Sequence, residues 1–275
     1  MKVYISVDME GGTGIASAKH MRDAGYTRMC KLLTQEVNAA IEGAFEAGAS
    51  EVLVNDAHGS MTNILIEELD QRASLISGSN KHLLQMECID ETFDAVFFIG
   101  YHAHEGNEDA VMNHTIYGGV VTEIKRNGVV VGETAINAGI AGAYGVPVAL
   151  VVGDNVVCAE AKRFLGDIET VATKEAIDRY AAKLLSPKKT YELIKAAAKR
   201  ALERLPELQP HQIPGPVEFQ LTTKLTSMAH MCTLFPGVER RGPKVVAVQS
   251  DCYLSAYRQL LGCLIISGAT GQGWL

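Results

Sequence analysis

Two short apolar segments, with one long amphipathic segment between them, constrain the fold of this chain more than any other feature. Residues 2 to 7 and 51 to 56 are rich in β-branched side chains, which is typical of strands buried inside a sheet. Residues 26 to 47 carry apolar side chains at helical spacing, and Gly48 is suited to end a helix. A strand, a helix and a strand in this order predict a βαβ unit.

The alternation continues after this unit. Further strands are predicted near residues 73 to 76, 94 to 99 and 147 to 152, and further helices over residues 133 to 144 and 154 to 164. Asn127 and Gly128 lie between two runs of valine and predict a hairpin turn. We therefore predict an α/β fold, with a three-layer α/β/α core built on a mainly parallel sheet.

The last third of the chain has a different pattern. A charged helix is predicted over residues 191 to 205, and the proline-rich segment that follows, to residue 216, indicates an extended linker. Beyond it we predict strands over residues 217 to 221 and 244 to 249 and helices over residues 223 to 232 and 251 to 265. The predicted domains are residues 1–187, the α/β/α domain, and residues 188–275, a smaller α+β C-terminal domain.

Composition excludes several classes of partner. The net charge is -7, from 25 Lys and Arg against 32 Asp and Glu, which argues against binding to nucleic acid. No stretch approaches the roughly 20 apolar residues of a membrane span, and no cleavable signal pattern opens the chain. We therefore expect a cytoplasmic protein. Its six cysteines lack a C-x-x-C spacing, so we expect buried thiols instead of a structural zinc site.

Ligands of open α/β sheets bind at the carboxyl ends of the strands, and several polar side chains follow the predicted strands at these ends. These side chains are Asp8 and Glu10 after the first strand, His58 after the second, His102 and His104 after the strand near residue 99, and Glu133 at the start of a helix. Each alone is compatible with a solvated loop, a hydrogen-bonded histidine or a helix-dipole carboxylate. Their joint position at neighbouring strand ends favours a metal site.

The residue types match a particular kind of metal. Asp8 and Glu10 are two residues apart, so in extended backbone both carboxylates leave the same face. Such carboxylates repel each other unless a cation lies between them, and together with imidazoles they suit one or two divalent ions, zinc first. A carboxylate that bridges two ions would create a two-metal hydrolytic site. His114 is a further candidate, because histidine exchanges protons near neutral pH.

The glycine-rich segment after Glu10 invites a different interpretation. Residues 11 to 14 read Gly-Gly-Thr-Gly, but neither G-x-x-x-x-G-K-[ST] nor G-x-G-x-x-G is present. We therefore expect these glycines to permit a tight turn beside the site, not to cradle a phosphate.

Five segments have a recognisable order: residues 6 to 11, 51 to 58, 100 to 103, 112 to 114, and 131 to 133 with Asn137 and Ala138. In this order they resemble the motifs of the DppA-type zinc D-aminopeptidases. The resemblance extends from Met1 to about Ser186 and continues more loosely to the C-terminus. Members of that family are self-compartmentalising peptidases that remove N-terminal D-residues, such as D-alanine, from short peptides.

The resemblance implies a role for each matching residue. Asp8, Glu10, His58, His102 and Glu133 would hold two zinc ions per subunit, with Asp8 as the bridge. His114 matches the catalytic histidine, and could act as general base, nucleophile or oxyanion stabiliser. A short peptide substrate and a ring-shaped homo-oligomer are implied as well.

Two alternatives and one departure from the family pattern remain. A two-metal phosphoesterase could use a similar set of ligands, although no basic phosphate clamp accompanies the motifs. A metal-binding, oligomer-forming protein without turnover is the other alternative. Residues 105 to 109 are acidic where the family pattern has a less acidic loop with a basic residue, and His104 is close enough to His102 to compete as a ligand.

Overall fold

The computed structural model of the protein describes residues 1–271, which form two sheets and the surrounding helices. The strands are β1 (Lys2–Val7), β2 (Glu51–Asp56), β3 (Ala73–Ile76), β4 (Ala95–Tyr101), β5 (Val121–Arg126), β6 (Val129–Val130), β7 (Val148–Asp154), β8 (Glu169–Asp178), β9 (Ala181–Leu184), β10 (Val217–Thr223), β11 (Glu239–Arg240) and β12 (Val245–Ser250). The α-helices are α1 (Asp23–Glu46), α2 (Glu133–Ala143), α3 (Asn155–Leu165), α4 (Pro187–Glu203), α5 (Thr226–Cys232) and α6 (Tyr253–Gly271).

The larger sheet has the strand order β3-β2-β1-β4-β7-β8-β9. Its first six strands pair in parallel, and only the edge strand β9 runs antiparallel to its neighbour β8. This mainly parallel sheet, with helices on both faces, confirms the predicted α/β fold. Because β1 lies between β2 and β4, the loops that follow these three strands meet at one edge of the sheet.

Alternate side chains of β1 explain why both faces of the sheet are covered. Val3 and Ile5 lie in one apolar core together with side chains of α1 and α4, whereas Tyr4 points into the other core, to which α2 and α3 contribute. All three side chains are fully buried. A strand that buries both faces favours consecutive apolar residues over alternation, and Val3, Tyr4 and Ile5 are three such residues.

The smaller sheet is antiparallel, with the order β11-β12-β10-β5-β6. It joins strands from the C-terminal third to β5 and β6, which belong to the first 187 residues. Conversely, α4 follows the predicted domain boundary but packs against α1, which precedes it. The predicted boundary after residue 187 therefore does not coincide with the division between the two sheets, and the two-domain description stays a prediction.

The hairpin prediction is confirmed at Asn127 and Gly128, which both adopt positive φ angles, 49° and 80°, between β5 and β6. By contrast, β8 and β9 were not predicted from the sequence. The buried residues of β8 include the polar Thr173 and Lys174, so no apolar alternation marks this strand.

Within residues 1–271, no helix has the length and apolar character needed to cross a membrane.

Candidate metal centre

The turn after β1 places Asp8 and Glu10 against the end of β4. The amide of Gly11 donates a hydrogen bond to the carbonyl of Gly100, and a Cβ on Gly11 would overlap the carbonyl oxygen of Tyr101. Glycine is therefore required at position 11 for the close approach of two backbones. This agrees with the expectation of a tight turn beside the site.

His58 is positioned by its own loop. The carboxylate of Asp56, the last residue of β2, accepts hydrogen bonds from the amides of Asn63 and Ile64. The Asn63 side chain in turn donates to the carbonyl of His58 at 2.7 Å. These buried bonds fix the loop after β2 and direct the imidazole toward β1.

Asp8, Glu10 and His58 form the first group of potential ligands, whose ligand atoms lie within 4.8 Å of one another. His58 Nδ1 is 3.1 Å from Asp8 Oδ1 and 2.9 Å from Glu10 Oε2. Both acids are almost completely buried. Two buried carboxylates this close together need a compensating positive charge.

His102, His114 and Glu133 form the second group, within the same limit of 4.8 Å. His102 Nε2 is 3.3 Å from Glu133 Oε1 and also 3.3 Å from Asp8 Oδ2. One oxygen of Asp8 therefore faces each group. Glu133 is held in place by the side chain of Gln85, which donates to its second oxygen.

The donor atoms have the properties that a divalent cation requires. Glu10 Oε2 and His102 Nε2 are buried and make no hydrogen bond of good geometry within the described residues, although His58 Nδ1 lies 2.9 Å from the former and two carboxylate oxygens lie 3.3 Å from the latter. Nδ1 of His102 lies 3.0 Å from the carbonyl of Ala103 and Nδ1 of His114 lies 2.8 Å from that of Met112, so each ring donates there and keeps a lone pair on Nε2. Mixed carboxylate and imidazole donors of this kind fit zinc.

The charged groups of the centre strongly shift one another's pKa values. Burial by itself lowers the pKa of His58, but the carboxylates of Glu10 and Asp8 outweigh burial and raise it to about 11. Burial raises the pKa of Glu133, whereas His102 and His114 lower it to about 2. The carboxylates thus attract positive charge, which a metal ion supplies more completely than protons do.

Lys174 supports the centre, although no sequence motif indicates this role. Its Nζ donates to the carbonyls of Glu10, Gly12 and Ile15, each at 2.7 Å, and only 1% of the residue is exposed. The loop that carries Glu10 is thereby attached to β8. Because β8 was missed, the only available signal was the lysine itself, and most lysines are exposed.

His104 belongs to neither ligand group. Its Nδ1 lies 2.8 Å from the carbonyl of Glu105, and its amide donates to Glu160. A basic residue from the turn between β8 and β9 contacts this region, since Arg179 donates to Asn113 and lies 3.9 Å from Glu105.

The model of a peptidase family described as D-aminopeptidase matches residues 1–261. The chain belongs to the D-aminopeptidase family. It is 37% identical over 265 residues to a D-aminopeptidase of Bacillus subtilis (strain 168), across 95% of this chain and 96% of that relative.

A solved structure of the family superposes with a TM-score of 0.94 and 35% sequence identity, and covers 98% of this chain and 99% of the other. It is described as Zn-dependent D-aminopeptidase DppA from Bacillus subtilis, a self-compartmentalizing protease. Membership of the D-aminopeptidase family confirms the predicted class, a metal-dependent aminopeptidase, and the predicted fold. The phosphoesterase and the non-catalytic alternative are not favoured. Two ligand groups agree with the predicted zinc cofactor, two ions per subunit.

Proposed function

We propose that this D-aminopeptidase removes N-terminal D-amino acids, such as D-alanine, from short peptides at a centre of two zinc ions. Asp8, Glu10, His58, His102 and Glu133 are the proposed ligands. The observation that carries the proposal is the position of Asp8, whose Oδ1 faces His58 and whose Oδ2 faces His102. A carboxylate between two imidazoles of separate groups is placed to bridge two ions.

Zinc, when bound, polarises the scissile carbonyl and lowers the pKa of water toward about 7. The protein supplies the rest of the reaction. His58, beside Glu10 and Asp8, is 19% exposed, so a peptide can approach the centre from that side. The net charge of -7 of the whole chain suits a substrate whose N-terminus is cationic.

His114 is the proposed catalytic residue. Its ring is 19% exposed, its Nδ1 lies 2.8 Å from the carbonyl of Met112, and its Nε2 lies 3.9 Å from Glu10 Oε1. Nε2 can accept a proton from water as the new C–O bond forms, and can deliver it to the amine nitrogen as the C–N bond breaks.

We also propose assembly and location from the family relationship. Similarity to a self-compartmentalizing protease supports a homo-oligomer, and a ring-shaped assembly is the proposed form. A cytoplasmic location is proposed from the sequence pattern alone. The assembly is tested by analytical ultracentrifugation and by electron microscopy of the purified protein, and a monomeric particle would contradict it.

Metal removal tests the proposed activity. Protein treated with a strong chelator should lose hydrolysis of D-Ala-D-Ala and regain it when zinc is added. L-Ala-L-Ala, measured in parallel, tests the preference for D-residues, and p-nitrophenyl phosphate tests phosphoesterase activity. Hydrolysis that persists after complete removal of metal would refute the zinc centre, and turnover of the phosphate ester alone would refute the peptidase proposal.

A further inference from the structure

An apolar cleft of about 400 Å³ opens beside the metal centre. Six of its lining residues are large and apolar: Met61, Leu84, Ile116, Leu261, Leu264 and Ile265. The lining residues include no Asp, Glu, Lys, Arg or His among those that the structure describes. A volume above about 300 Å³ is in the range of sites for small molecules, and is more than the methyl group of alanine occupies.

The cleft is adjacent to both ligand groups, although none of the six residues of these groups lines it. Its wall contains Ala57 and Gly59, the two neighbours of His58 in the chain. On the other side it contains Gln85, whose side chain donates to Glu133, and Ile116, whose amide donates to Glu133 Oε1 at 2.6 Å. A peptide bound at the metal centre would therefore lie next to the cleft.

The backbone around the cleft is strained in the way that ligand sites often are. Met61, Leu84 and Ile116 have φ angles of 59°, 46° and 56°, in the left-handed region that side chains rarely adopt. For the β-branched Ile116 this conformation is especially unfavourable. The hydrogen bond from the Ile116 amide to Glu133 stabilises this conformation. It also connects the wall of the cleft to the metal centre.

We propose that this cleft is a specificity subsite for a large apolar side chain of the peptide substrate. The inference rests on the proposed peptidase function and adds the class of substrate. Peptides with a leucine-sized residue would bury that side chain against Leu261, Leu264 and Ile265, whereas D-Ala-D-Ala leaves the cleft largely unfilled. A charged side chain would lose its hydration there without gaining a partner.

The test compares D-Ala-D-Ala with D-Leu-D-Ala and D-Ala-D-Leu on the zinc-loaded protein. At least one leucine peptide should have a kcat/KM about ten-fold or more above that of D-Ala-D-Ala, because each added methylene in an apolar pocket is worth about 10- to 200-fold. The peptide that gains shows whether the first or the second residue enters the cleft. Equal kcat/KM values for all three peptides would overturn the proposal.

Ile265 allows a sharper version, because it is 65% exposed on α6 and lines the cleft. Ile265→Trp should remove most of the advantage in kcat/KM of the leucine peptide over D-Ala-D-Ala. Ile177→Trp is the matched control, since Ile177 is 62% exposed on β8 and does not line the cleft. An equal loss for all peptides, accompanied by a changed oligomeric mass, would identify the cleft as a subunit contact and overturn the proposal.

Isothermal titration calorimetry separates this inference from the proposed function. If no peptide is hydrolysed, the peptidase proposal fails, but the cleft is still tested by binding. About ten-fold tighter binding of a leucine peptide than of D-Ala-D-Ala, abolished in Ile265→Trp and kept in Ile177→Trp, would support the subsite. Equal affinities for the three peptides would overturn it.

Discussion

The imidazole rings of His102 and His114 are stacked, with centroids 4.1 Å apart and planes 12° from parallel. Nδ1 of each ring lies within 3.0 Å of a backbone carbonyl. Their burial differs, since 1% of the His102 side chain is exposed against 19% of the His114 side chain. The buried ring is suited to a ligand and the more open ring to proton exchange with substrate.

His114→Ala is expected to lower kcat by at least about 100-fold, which is the lower limit for loss of a general acid or base. Zinc content, measured by mass spectrometry of the dialysed protein, should remain two ions per subunit. His104→Ala is the control, because His104 is nearby but belongs to neither ligand group. The kcat of this variant should change little. A fall to one ion in His114→Ala would make His114 a ligand instead.

Asp8→Asn is expected to lower the affinity of the protein for both zinc ions, because Asp8 faces a histidine of each ligand group. Glu10→Gln and Glu133→Gln should each lower the affinity for mainly one ion, since each residue belongs to a single ligand group. Zinc retained during titration with a chelator distinguishes the two patterns. If Asp8→Asn released one ion and held the other as tightly as the unmodified protein, the bridging role would be wrong.

Lys174→Met is expected to lower the free energy of unfolding of the zinc-free protein by about 3 kcal/mol, because a buried carbonyl that loses its donor costs about 1 to 3 kcal/mol. The variant leaves three buried carbonyls without their donor. Zinc affinity should also fall, because these bonds hold the loop of Glu10. Urea denaturation and chelator competition measure the two effects.

Lys183→Met is the matched control for Lys174, because the Lys183 side chain is 71% exposed on the neighbouring strand β9. Its free energy of unfolding should change by no more than about 0.5 kcal/mol. Normal zinc affinity in a folded Lys174→Met protein would show that Lys174 only stabilises the fold.

His211 is expected to make the zinc-free protein less stable in acid. Burial, and then the charge of Arg126, lower the folded-state pKa of His211 from 6.5 to about 4. Arg126 also donates to its Nε2 at 2.9 Å, which requires the neutral ring. As the pH falls below 6.5 the unfolded chain binds the proton first, so stability present above pH 6.5 is lost progressively down to about pH 4.

The size of this effect is about 1 to 2 kcal/mol, after the pKa shift is discounted for the partial exposure of the ring. His211→Gln keeps an acceptor for Arg126 but does not titrate. Its unfolding free energy should therefore fall less between pH 7 and pH 4 than that of the unmodified protein. Identical pH dependence of the two proteins would exclude a contribution from His211.

Local pattern was enough to predict the elements around the centre. The apolar runs of β1, β2 and β4, the amphipathic spacing of α1 and the turn at Asn127 and Gly128 each depend on residues close in the chain. Because parallel strands end at one edge of their sheet, the same pattern also indicated that Asp8, Glu10, His58 and His102 would lie close together. His104 was in the same set of candidates but belongs to neither ligand group. The family resemblance added the zinc pair and the role of His114.

Tertiary structure alone decided what supports and surrounds that centre. Lys174 binds the loop of Glu10 from 164 residues away, and Gln85 reaches Glu133 across 48 residues, so no local pattern reports either contact. The strand β8 was not predicted because its buried residues include Thr173 and Lys174. Burial of these polar side chains is favourable only when their hydrogen-bond acceptors are in place. The apolar cleft likewise exists only where α6 packs beside the loops of His58 and Ile116. The sequence by itself thus determined the strands, the helices and the charged groups at their ends, whereas long-range packing decided the contacts that hold those groups and the space beside them.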